Sequence, residues 1–341
     1  MLPNVSVIGA GPWGKNLIRN LHSLDALHSV CDQNSETLGI VRTGYQGVRT
    51  FQSADDILSD PTVDAVMIAT PSEQHVSFAE QAIRAGKDVF VEKPLALSVL
   101  EGEKLVSLAH KQNRILMVGH VLQYHPAVRK LKELMDSGEL GELRYLHAQR
   151  LNFGKFRVSE DSLWSFAPHD ISLALEFAGC EPLQAVCHGS DVLIPHQMDT
   201  TFSHITFPGD IHFYLYVSWL YPQKQQRFVV IGSKQMAVFD DQAESKLVLY
   251  PYSVEWGGSV PNGFRGEGAS IEIEDTEPLR LECEHFLECI ATRRAPKTNG
   301  EEGLRVLQVL DACQRSLNNG APAEICQKPS FTKRQSLTKA L

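Results

Sequence analysis

The fold is decided by the stretch Val5-Ser6-Val7-Ile8-Gly9-Ala10-Gly11-Pro12-Trp13-Gly14. A short apolar run leads into the pattern G-x-G-x-x-G, which predicts a strand, a tight turn and a helix. The first glycine permits the turn, the second lets a pyrophosphate approach the backbone, and the third packs helix against strand. Free N–H groups at the helix start attract phosphate. We therefore expect residues 9–14 to bind a dinucleotide.

Asp32 lies 18 positions after Gly14, at the end of the second predicted strand. A carboxylate there binds the hydroxyls of an adenosine ribose and repels a 2′-phosphate. The next residues are Gln33 and Asn34, so no arginine follows to accept that phosphate. The sequence predicts NAD rather than NADP. The structural alternative is an ordinary strand–helix turn in which Asp32 caps a helix.

Outward from this stretch, strand and helix patterns alternate over the first 120 residues. Predicted strands are 5–8, 27–31, 63–69, 88–91 and 115–118, and predicted helices are 14–24, 74–85 and 98–112. Such alternation is typical of an α/β domain with a doubly wound parallel sheet of the Rossmann type. We assign residues 1–120 to this dinucleotide-binding domain.

The second half of the chain is rich in strand formers with few helices between them. Predicted strands are 143–151, 183–188, 200–207, 211–219, 227–231, 236–239 and 247–250, and predicted helices are 127–136, 277–292 and 301–317. We expect an α+β domain at 121–328, with a large open antiparallel or mixed sheet and flanking helices. The glycine-rich stretch 256–268 is predicted to be a loop, and 329–341 a polar tail.

Composition excludes several classes of protein. The 341 residues carry a net charge of −9, which disfavours nucleic-acid binding, and a hydrophobic content of 43% is typical of a globular chain. No apolar run reaches the ~18 residues of a membrane helix, and no secretory signal is apparent, so we expect a cytoplasmic protein with no membrane contact. The seven cysteines are scattered, without a CxxC pair. We expect neither a metal site nor disulfides.

Two further motifs end neighbouring strands of the first sheet, where open α/β sheets bind their ligands. Thr70-Pro71 ends one strand and is followed by His75, and Glu92-Lys93-Pro94 ends the next. With the glycine motif, they make residues 5 to about 323 resemble the family of glucose–fructose oxidoreductase and inositol dehydrogenase. That resemblance implies an NAD-dependent oxidoreductase with Thr70, Pro71, His75 and Glu92 at the cofactor.

The same resemblance implies a catalytic pair. The lysine of the Glu-Lys-Pro tripeptide lies beside the nicotinamide and the reacting hydroxyl, a role that falls to Lys93. An Asp-x-x-x-His motif of the second domain matches 165–169, where His169 takes the histidine position and Ser165 stands in place of the acid. We favour His169 as the base and Lys93 as its electrostatic helper, with the order of the two left open. A solvated lysine and an ordinary helix-start histidine are the alternatives.

A basic stretch precedes this motif and suits a diphosphate, because arginine binds phosphate in a bidentate fashion. Its candidates for substrate binding are Arg150, Asn152, Lys155 and Arg157, followed by Trp164 and Ser165. A basic surface loop is the alternative. In the predicted cleft, Tyr124 is expected near the nicotinamide, and His120 or Gln123 at sugar hydroxyls.

Residues 150–172 resemble the family branch that oxidises nucleotide sugars at C3. This implies conversion of UDP-N-acetylglucosamine to its 3-keto form, for a sugar aminotransferase to make the 2,3-diamino sugar of some lipid A molecules. The alternatives are the corresponding uronic acid as substrate, an NAD-dependent glycoside hydrolase, and an NAD-binding sensor or scaffold. A 2-hydroxy-acid or amino-acid dehydrogenase is disfavoured because it leaves the basic stretch without a purpose.

The strand at 211–219 is apolar on both sides. Phe213, Leu215 and Val217 alternate with Tyr214 and Tyr216. A sheet with two apolar faces tends to bury both of them. We expect a homodimer or homotetramer.

Overall fold

The first half of the chain forms a six-stranded parallel sheet with the order β3-β2-β1-β4-β5-β6. The structure is a computed structural model that describes residues 2–154, 156–157 and 160–325. The strands are β1 (Val5–Ile8), β2 (Leu27–Cys31), β3 (Arg49–Phe51), β4 (Ala65–Ile68), β5 (Asp88–Glu92) and β6 (Leu116–Gly119). The predicted doubly wound sheet is confirmed, and the reversal of strand order between β1 and β4 marks its ligand-binding edge.

Helices cover both faces of this sheet. They are α1 (Gly14–Ser23), α2 (Ser35–Gly44), α3 (Ala54–Leu58), α4 (His75–Arg84) and α5 (Val99–Lys111), with short 3₁₀ turns at Ser72–Gln74 and Val121–Tyr124. Several begin at polar caps: the side chains of Asn34 and Ser98 accept N–H bonds from the first turns of α2 and α5. Strands β1 and β4 are fully buried between these layers.

The second half forms a mixed ten-stranded sheet with the order β14-β13-β12-β11-β7-β10-β9-β8-β16, and β15 pairs with β13. The strands are β7 (Leu143–Phe153), β8 (Gln184–Ser190), β9 (Thr200–Phe207), β10 (Ile211–Ser218), β11 (Leu220–Gly232), β12 (Gln235–Asp240), β13 (Leu247–Gly257), β14 (Val260–Arg265), β15 (Ala269–Ser270) and β16 (Ala323–Glu324). Strand β7 lies parallel to β10 and antiparallel to β11, which makes the sheet mixed. The expected open α+β sheet is confirmed.

Within the described part of the chain, helices cover one face of this sheet and leave the other without a covering helix. The helices of the second half are α6 (Pro126–Asp136), α7 (Ser162–Ala178), α8 (Pro278–Thr292) and α9 (Gly300–Asn319). On β10, Phe213, Leu215 and Val217 are buried in the core with α7 and α9. Tyr214 is 42% exposed on the opposite face, so the residues that the structure describes cover only one side of this strand.

The glycine-rich stretch 256–268 contradicts the prediction of a loop. Strand β13 runs to Gly257 and pairs antiparallel with β14, from Tyr252↔Arg265 to Gly257↔Val260. The residues of β14 are exposed. Backbone pairing, rather than an apolar pattern, therefore holds this hairpin, which explains why the sequence pattern missed it.

Helix α8 packs on the first sheet although it follows the second in the chain. Leu279, Cys283 and Phe286 share a core cluster with Val5 and Leu17. The division into 1–120 and 121–328 remains a prediction, and the tail 329–341 lies outside the described residues. Within the described ranges, none of the helices combines the length and apolar character needed to cross a bilayer.

Candidate active site

The glycine turn after β1 has the shape that a bound phosphate needs. Gly9 has φ +96°, and a Cβ on it would lie 2.7 Å from the Ala69 carbonyl oxygen. A Cβ on Gly14 would lie 2.0 Å from the carbonyl oxygen of Gly9, so helix and turn are in contact there. A Cβ on Gly11 would meet nothing within 4 Å. The open side of the turn is therefore at Gly11, facing the start of α1.

Asp32 lies beside this turn. Its Oδ2 accepts the N–H of Ala10 at 2.7 Å, and its Oδ1 accepts the N–H of Asn34 at 2.9 Å. Asn34 caps α2, so Asp32 is not the helix cap of the alternative interpretation. The two N–H bonds fix the carboxylate, and its remaining lone pairs are available for ribose hydroxyls.

The ends of β4 and β5 are tied together by His75. Its ring nitrogens lie 2.8 Å from the Pro94 carbonyl oxygen and 3.0 Å from that of Thr70, and burial lowers the pKa of the imidazole. His75 thus contacts both of the loops that follow β4 and β5. The Thr70 hydroxyl is buried without a partner among the described residues, and Pro71 is exposed. A buried, unpaired hydroxyl at this edge fits a bound cofactor that would satisfy it.

Glu92 is buried at the end of β5 and accepts a hydrogen bond from the indole Nε1 of Trp13. Burial raises the pKa of Glu92 to about 7, against the opposing effects of Trp13 and the adjacent Lys93. Its contact with Trp13 links the glycine turn to the strand that carries the lysine. Glu92 therefore helps to hold the glycine turn against the end of β5.

Lys93 connects the two halves of the molecule. Its Nζ donates to the carbonyl oxygen of Ser165 at 2.8 Å, in the first turns of α7. Burial lowers the pKa of the ammonium group, while the negative charge of Glu160 opposes this effect. A lysine with a lowered pKa, held by one backbone contact, can still donate to a substrate oxygen or exchange a proton with it.

His169 lies one helical turn after Ser165, on the same face of α7. Its Nδ1 and the Ser165 hydroxyl are both buried without partners among the described residues. Burial, followed by the positive charges of Lys93 and Arg150, lowers the pKa of His169 well below its usual value. At neutral pH the ring is therefore uncharged and able to accept a proton.

Arg150 and Asp170 form a buried bidentate ion pair. Arg150 Nε donates to Oδ2 at 2.6 Å, and its Nη2 donates to Oδ1 at 3.0 Å. Asp170 lies within α7, and the cap of this helix is Asp161, which accepts the N–H of Trp164 at 3.0 Å. The guanidinium of Arg150 is thus already engaged by a carboxylate, and its charge acts on the site from a fixed position.

The other cationic candidates differ in their availability. Arg157 is half exposed and donates to the buried carboxylate of Glu160. Asn152 is half-buried in β7. Trp164 donates from Nε1 to Gln314 Oε1 at 3.0 Å, toward α9. Lys155 lies outside the described residues.

A second polar network lies beside the lysine. His120 Nδ1 lies 2.6 Å from Glu302 Oε2, and Ser172 Oγ donates to Glu302 Oε1 at 2.6 Å. Gln123 Nε2 donates to the carbonyl oxygen and the hydroxyl of Ser172, both at 3.0 Å, while its Oε1 is buried without a partner among the described residues. Tyr124 is buried, with its hydroxyl 3.0 Å from Thr298 Oγ1. Glu302 joins β6 to α7 through this network.

Two carboxylates of the site, Glu302 and Glu160, have no signal in the sequence pattern. Glu302 lies 182 residues after its partner His120, so no local pattern could join them. Glu160 directly precedes the Asp161 cap. Its place in the site is visible only in the folded structure, where its carboxylate is buried and acts electrostatically on Lys93. Both supply negative charge to a site whose motif carries Ser165 in place of an acid. In the part of the chain that the structure describes, no three metal-ligating side chains converge.

Comparisons with known proteins agree with this geometry. The profile described as "Oxidoreductase family, NAD-binding Rossmann fold" matches residues 3–120, and the "GFO/IDH/MocA C-terminal domain" matches residues 128–238. Together they span more than half of the chain. The glycine turn, Asp32 and the unpaired Thr70 hydroxyl are the residues that fit the NAD of this family.

Individual relatives cover nearly the whole chain. The UDP-N-acetylglucosamine 3-dehydrogenase of Acidithiobacillus ferrooxidans is 29% identical over 304 residues, which are 88% of this chain and 93% of that protein. The scyllo-inositol 2-dehydrogenase (NAD(+)) of Bacillus subtilis is 24% identical over 348 residues, covering 96% and 97%. A solved structure of the Acidithiobacillus enzyme superposes with a TM-score of 0.81 at 26% identity, covering 92% and 97% of the two chains. The chain belongs to the GFO/IDH/MocA family of NAD-binding oxidoreductases.

Proposed function

We propose that this NAD-dependent enzyme oxidises the C3 hydroxyl of UDP-N-acetylglucosamine to a ketone. The observation that carries the proposal is the similarity, over 88% of the chain, to a UDP-N-acetylglucosamine 3-dehydrogenase. The site adds chemical support, since a half-buried lysine and an uncharged imidazole lie where the carboxyl end of β5 meets α7. The 3-keto product is suited to transamination, and we place the enzyme before a sugar aminotransferase in lipid A synthesis.

Lys93 and His169 act on the reacting hydroxyl in this proposal. Lys93 Nζ donates to the hydroxyl oxygen and stabilises negative charge that develops there. His169 is uncharged at neutral pH and accepts the hydroxyl proton. When NAD is bound, its nicotinamide ring supplies the acceptor for the hydride that leaves the same carbon.

The residues around this pair orient the substrate. Gln123 Oε1 and the Ser165 hydroxyl are buried and unpaired among the described residues, which suits contacts with sugar hydroxyls. We assign Arg157, an exposed cation, to the diphosphate. It would bind the diphosphate either after its ion pair with Glu160 breaks or while that ion pair is kept. We assign Arg150 to a supporting role, because Asp170 already engages its guanidinium.

The experiment is to mix the protein with NAD and UDP-N-acetylglucosamine and follow NADH by absorbance. A sugar aminotransferase with glutamate removes the ketone, because oxidation of an alcohol by NAD is unfavourable at equilibrium. We expect sustained NADH formation that Lys93→Ala and His169→Ala reduce by at least about 100-fold. Lys104→Ala on α5 is the matched lysine control.

Each alternative gives a different result in this assay. Activity only with UDP-N-acetylglucosaminuronate would make the uronic acid the substrate and would contradict the assignment of UDP-N-acetylglucosamine. Glycoside cleavage without net NADH would indicate the hydrolase. Tight NAD binding without turnover of any of these sugars would indicate a sensor or scaffold.

A further inference from the structure

The side-chain amide of Gln123 is held in one orientation by Ser172 of α7. Its Nε2 lies 3.0 Å from both the carbonyl oxygen and the hydroxyl oxygen of Ser172. That hydroxyl lies 2.6 Å from Glu302 Oε1, and since a carboxylate oxygen is an acceptor, the hydroxyl hydrogen points to Glu302. Both oxygen atoms of Ser172 therefore act as acceptors toward Gln123. Only the NH₂ group of the amide is able to face them.

The amide oxygen of Gln123 is consequently an acceptor that faces away from Ser172. Gln123 is 1% exposed, and its Oε1 has no hydrogen-bond partner among the described residues. A buried acceptor that stays unpaired is destabilising, and folded proteins seldom keep one unless a ligand or an ordered water pairs with it. Oε1 is therefore suited to a hydroxyl or N–H donor of a bound molecule.

One face of α7 carries both the proposed catalytic pair and the contact with Gln123. Ser165, His169 and Ser172 are spaced by four and three positions, which places them on the same side of the helix. Lys93 donates to the carbonyl oxygen of the first, and Gln123 donates to the last. The step from His169 to Ser172 is about 4.5 Å along the helix axis. The amide thus lies about one helical turn beyond the proposed base.

The cation that we assign to the diphosphate lies at the other end of this row. Arg157 pairs with Glu160, just ahead of the first turn of α7. The order along the helix is therefore Arg157, then Lys93 and His169, then Gln123. In a UDP-linked pyranose the diphosphate is on C1, and C4 is both opposite C1 and adjacent to C3. With C3 at the reacting pair, C4 points toward Gln123, whereas C2 points back toward the diphosphate.

We propose, on the basis of the function above, that Gln123 determines specificity by accepting a hydrogen bond from the C4 hydroxyl of the sugar. Ser172 and Glu302 are positioning residues, because they hold the amide in the orientation that presents its oxygen. A sugar without a donor at C4 leaves Oε1 buried and unpaired. Sites built to bind a hydroxyl discriminate strongly against analogues that lack it. The enzyme therefore selects its substrate at the carbon next to the one that it oxidises.

The test compares the binding of three nucleotide sugars to the NADH-bound enzyme by titration calorimetry. With NADH in place of NAD there is no hydride acceptor, so binding is measured without turnover. The probes are UDP-N-acetylglucosamine, its 4-deoxy form and its 6-deoxy form. We expect the Kd of the 4-deoxy sugar to be at least about 10-fold higher than that of the parent sugar, and the 6-deoxy sugar to bind nearly as well as the parent. Equal binding of the parent and the 4-deoxy sugar, or a loss only with the 6-deoxy sugar, would overturn the proposal.

Gln123→Met should abolish this discrimination, because methionine has a similar length and no amide oxygen. The parent sugar should bind more weakly to the variant, and the parent and 4-deoxy sugars should bind to it with equal affinity. Since the two Kd values are compared within one variant, general damage to the fold affects both sugars alike. A variant that keeps the full discrimination of the wild type would show that another residue recognises the C4 hydroxyl.

Gln81→Met is the matched control. Gln81 also donates from Nε2 to a serine, at 3.1 Å from Ser77 Oγ, but this pair lies on the exposed surface of α4. The control variant should discriminate between the parent and 4-deoxy sugars as the wild type does. Loss of discrimination in both variants would contradict a specific role of Gln123.

The outcomes also separate this proposal from the assignment of the reaction. Discrimination at C4 in the binding experiment, without NADH formation from NAD and UDP-N-acetylglucosamine, would support the role of Gln123 and contradict oxidation at C3. NADH formation without discrimination at C4 would support the reaction and overturn the role of Gln123. Binding of none of the three sugars would overturn both.

Discussion

Burial controls the protonation of single side chains around Lys93, and Glu92 gives the clearest consequence for stability. Its pKa is raised to about 7 by burial, so the folded state holds this carboxyl in its neutral form more strongly than the unfolded state does. The stability that this provides is present below the unfolded pKa of Glu and is lost as pH rises toward 7. Folding should therefore weaken across this interval.

Glu92→Gln should remove that dependence on pH. The free energy of unfolding of the variant, relative to wild type, should increase by about 2 kcal/mol from about pH 5 to about pH 8. Urea unfolding of the NAD-free protein at both pH values measures the difference. Glu73→Gln, on the exposed surface, is the control. A constant difference between variant and wild type would show that Glu92 titrates normally.

Asp32 should determine the choice of cofactor. Asp32→Asn removes the charge that faces a 2′-phosphate and weakens the contacts with ribose hydroxyls. We expect the Kd for NADH to rise by about 10-fold or more, because hydrogen bonds to charged groups contribute about 1.5–3 kcal/mol. The Kd for NADPH should change less or fall. Titration calorimetry with both cofactors measures the change, and an unaltered NADH affinity would contradict the assignment.

Single residues of the site could be predicted only where the chain orders them locally. The glycine turn, Asp32 and the Glu-Lys-Pro tripeptide lie at ends of sheet strands, and strand periodicity locates those ends. Arg150 was read as a free cation because its partner Asp170 lies 20 residues away on another element. The role of Glu302 could not be predicted for the same reason, since it depends on how α9 packs against the rest of the site.

At the scale of secondary structure, α9 is the element that carries the second carboxylate into the site, and Gly303 sets how closely it packs. A Cβ on Gly303 would lie 2.5 Å from Cγ2 of Val118 on β6. Gly303→Ala should destabilise the fold by about 1–3 kcal/mol through overpacking, despite the better helix propensity of alanine. Activity should also fall, because Glu302 moves with the helix.

Gly39→Ala in α2 is the matched comparison for this prediction. A Cβ there would meet nothing within 4 Å, so only helix propensity changes. This variant should be stabilised by about 0.5–1 kcal/mol. Thermal and urea unfolding measure both variants. Stabilisation of Gly303→Ala would show that α9 and β6 are not in the close contact described.

Periodicity predicted most of the long elements, but it did not predict the 17-residue helix α7. Residues on nearly all sides of α7 are buried, so it has no single apolar stripe to reveal it. The buried strands of the first sheet and helices α5, α8 and α9 follow clear apolar patterns. The segment from α2 to α3 was not assigned, because β3 and α3 have only three and five residues. The insertion of β7 between β10 and β11 also has no local signal, since strand order depends on contacts between distant residues.

At the scale of the whole molecule, one face of the second sheet, which residues 2–325 leave exposed apart from the few positions not described, bears on the predicted homo-oligomer. Phe202 is 54% exposed there and stacks on Tyr216 with ring centroids 4.2 Å apart. Exposed aromatic clusters on a sheet face are typical of interfaces. We expect light scattering at micromolar concentration to give a dimer or tetramer.

Phe202→Asp should shift this assembly toward the monomer, because a carboxylate would be buried in the interface. Leu100→Asp on α5, at a residue 60% exposed outside this face, should leave the assembly unchanged. Light scattering of both variants beside wild type checks the prediction. A wild-type protein that is monomeric at micromolar concentration would contradict the predicted homo-oligomer.

In the proposed reaction, the hydride that reduces NAD comes from C3 of the sugar. The most direct measurement of this transfer uses UDP-N-acetylglucosamine carrying deuterium at C3, incubated with NAD and the enzyme, followed by mass spectrometry of the NADH formed. We predict one deuterium in the NADH, and none when the label is placed at C4 instead. Unlabelled NADH from the C3-deuterated sugar would contradict it.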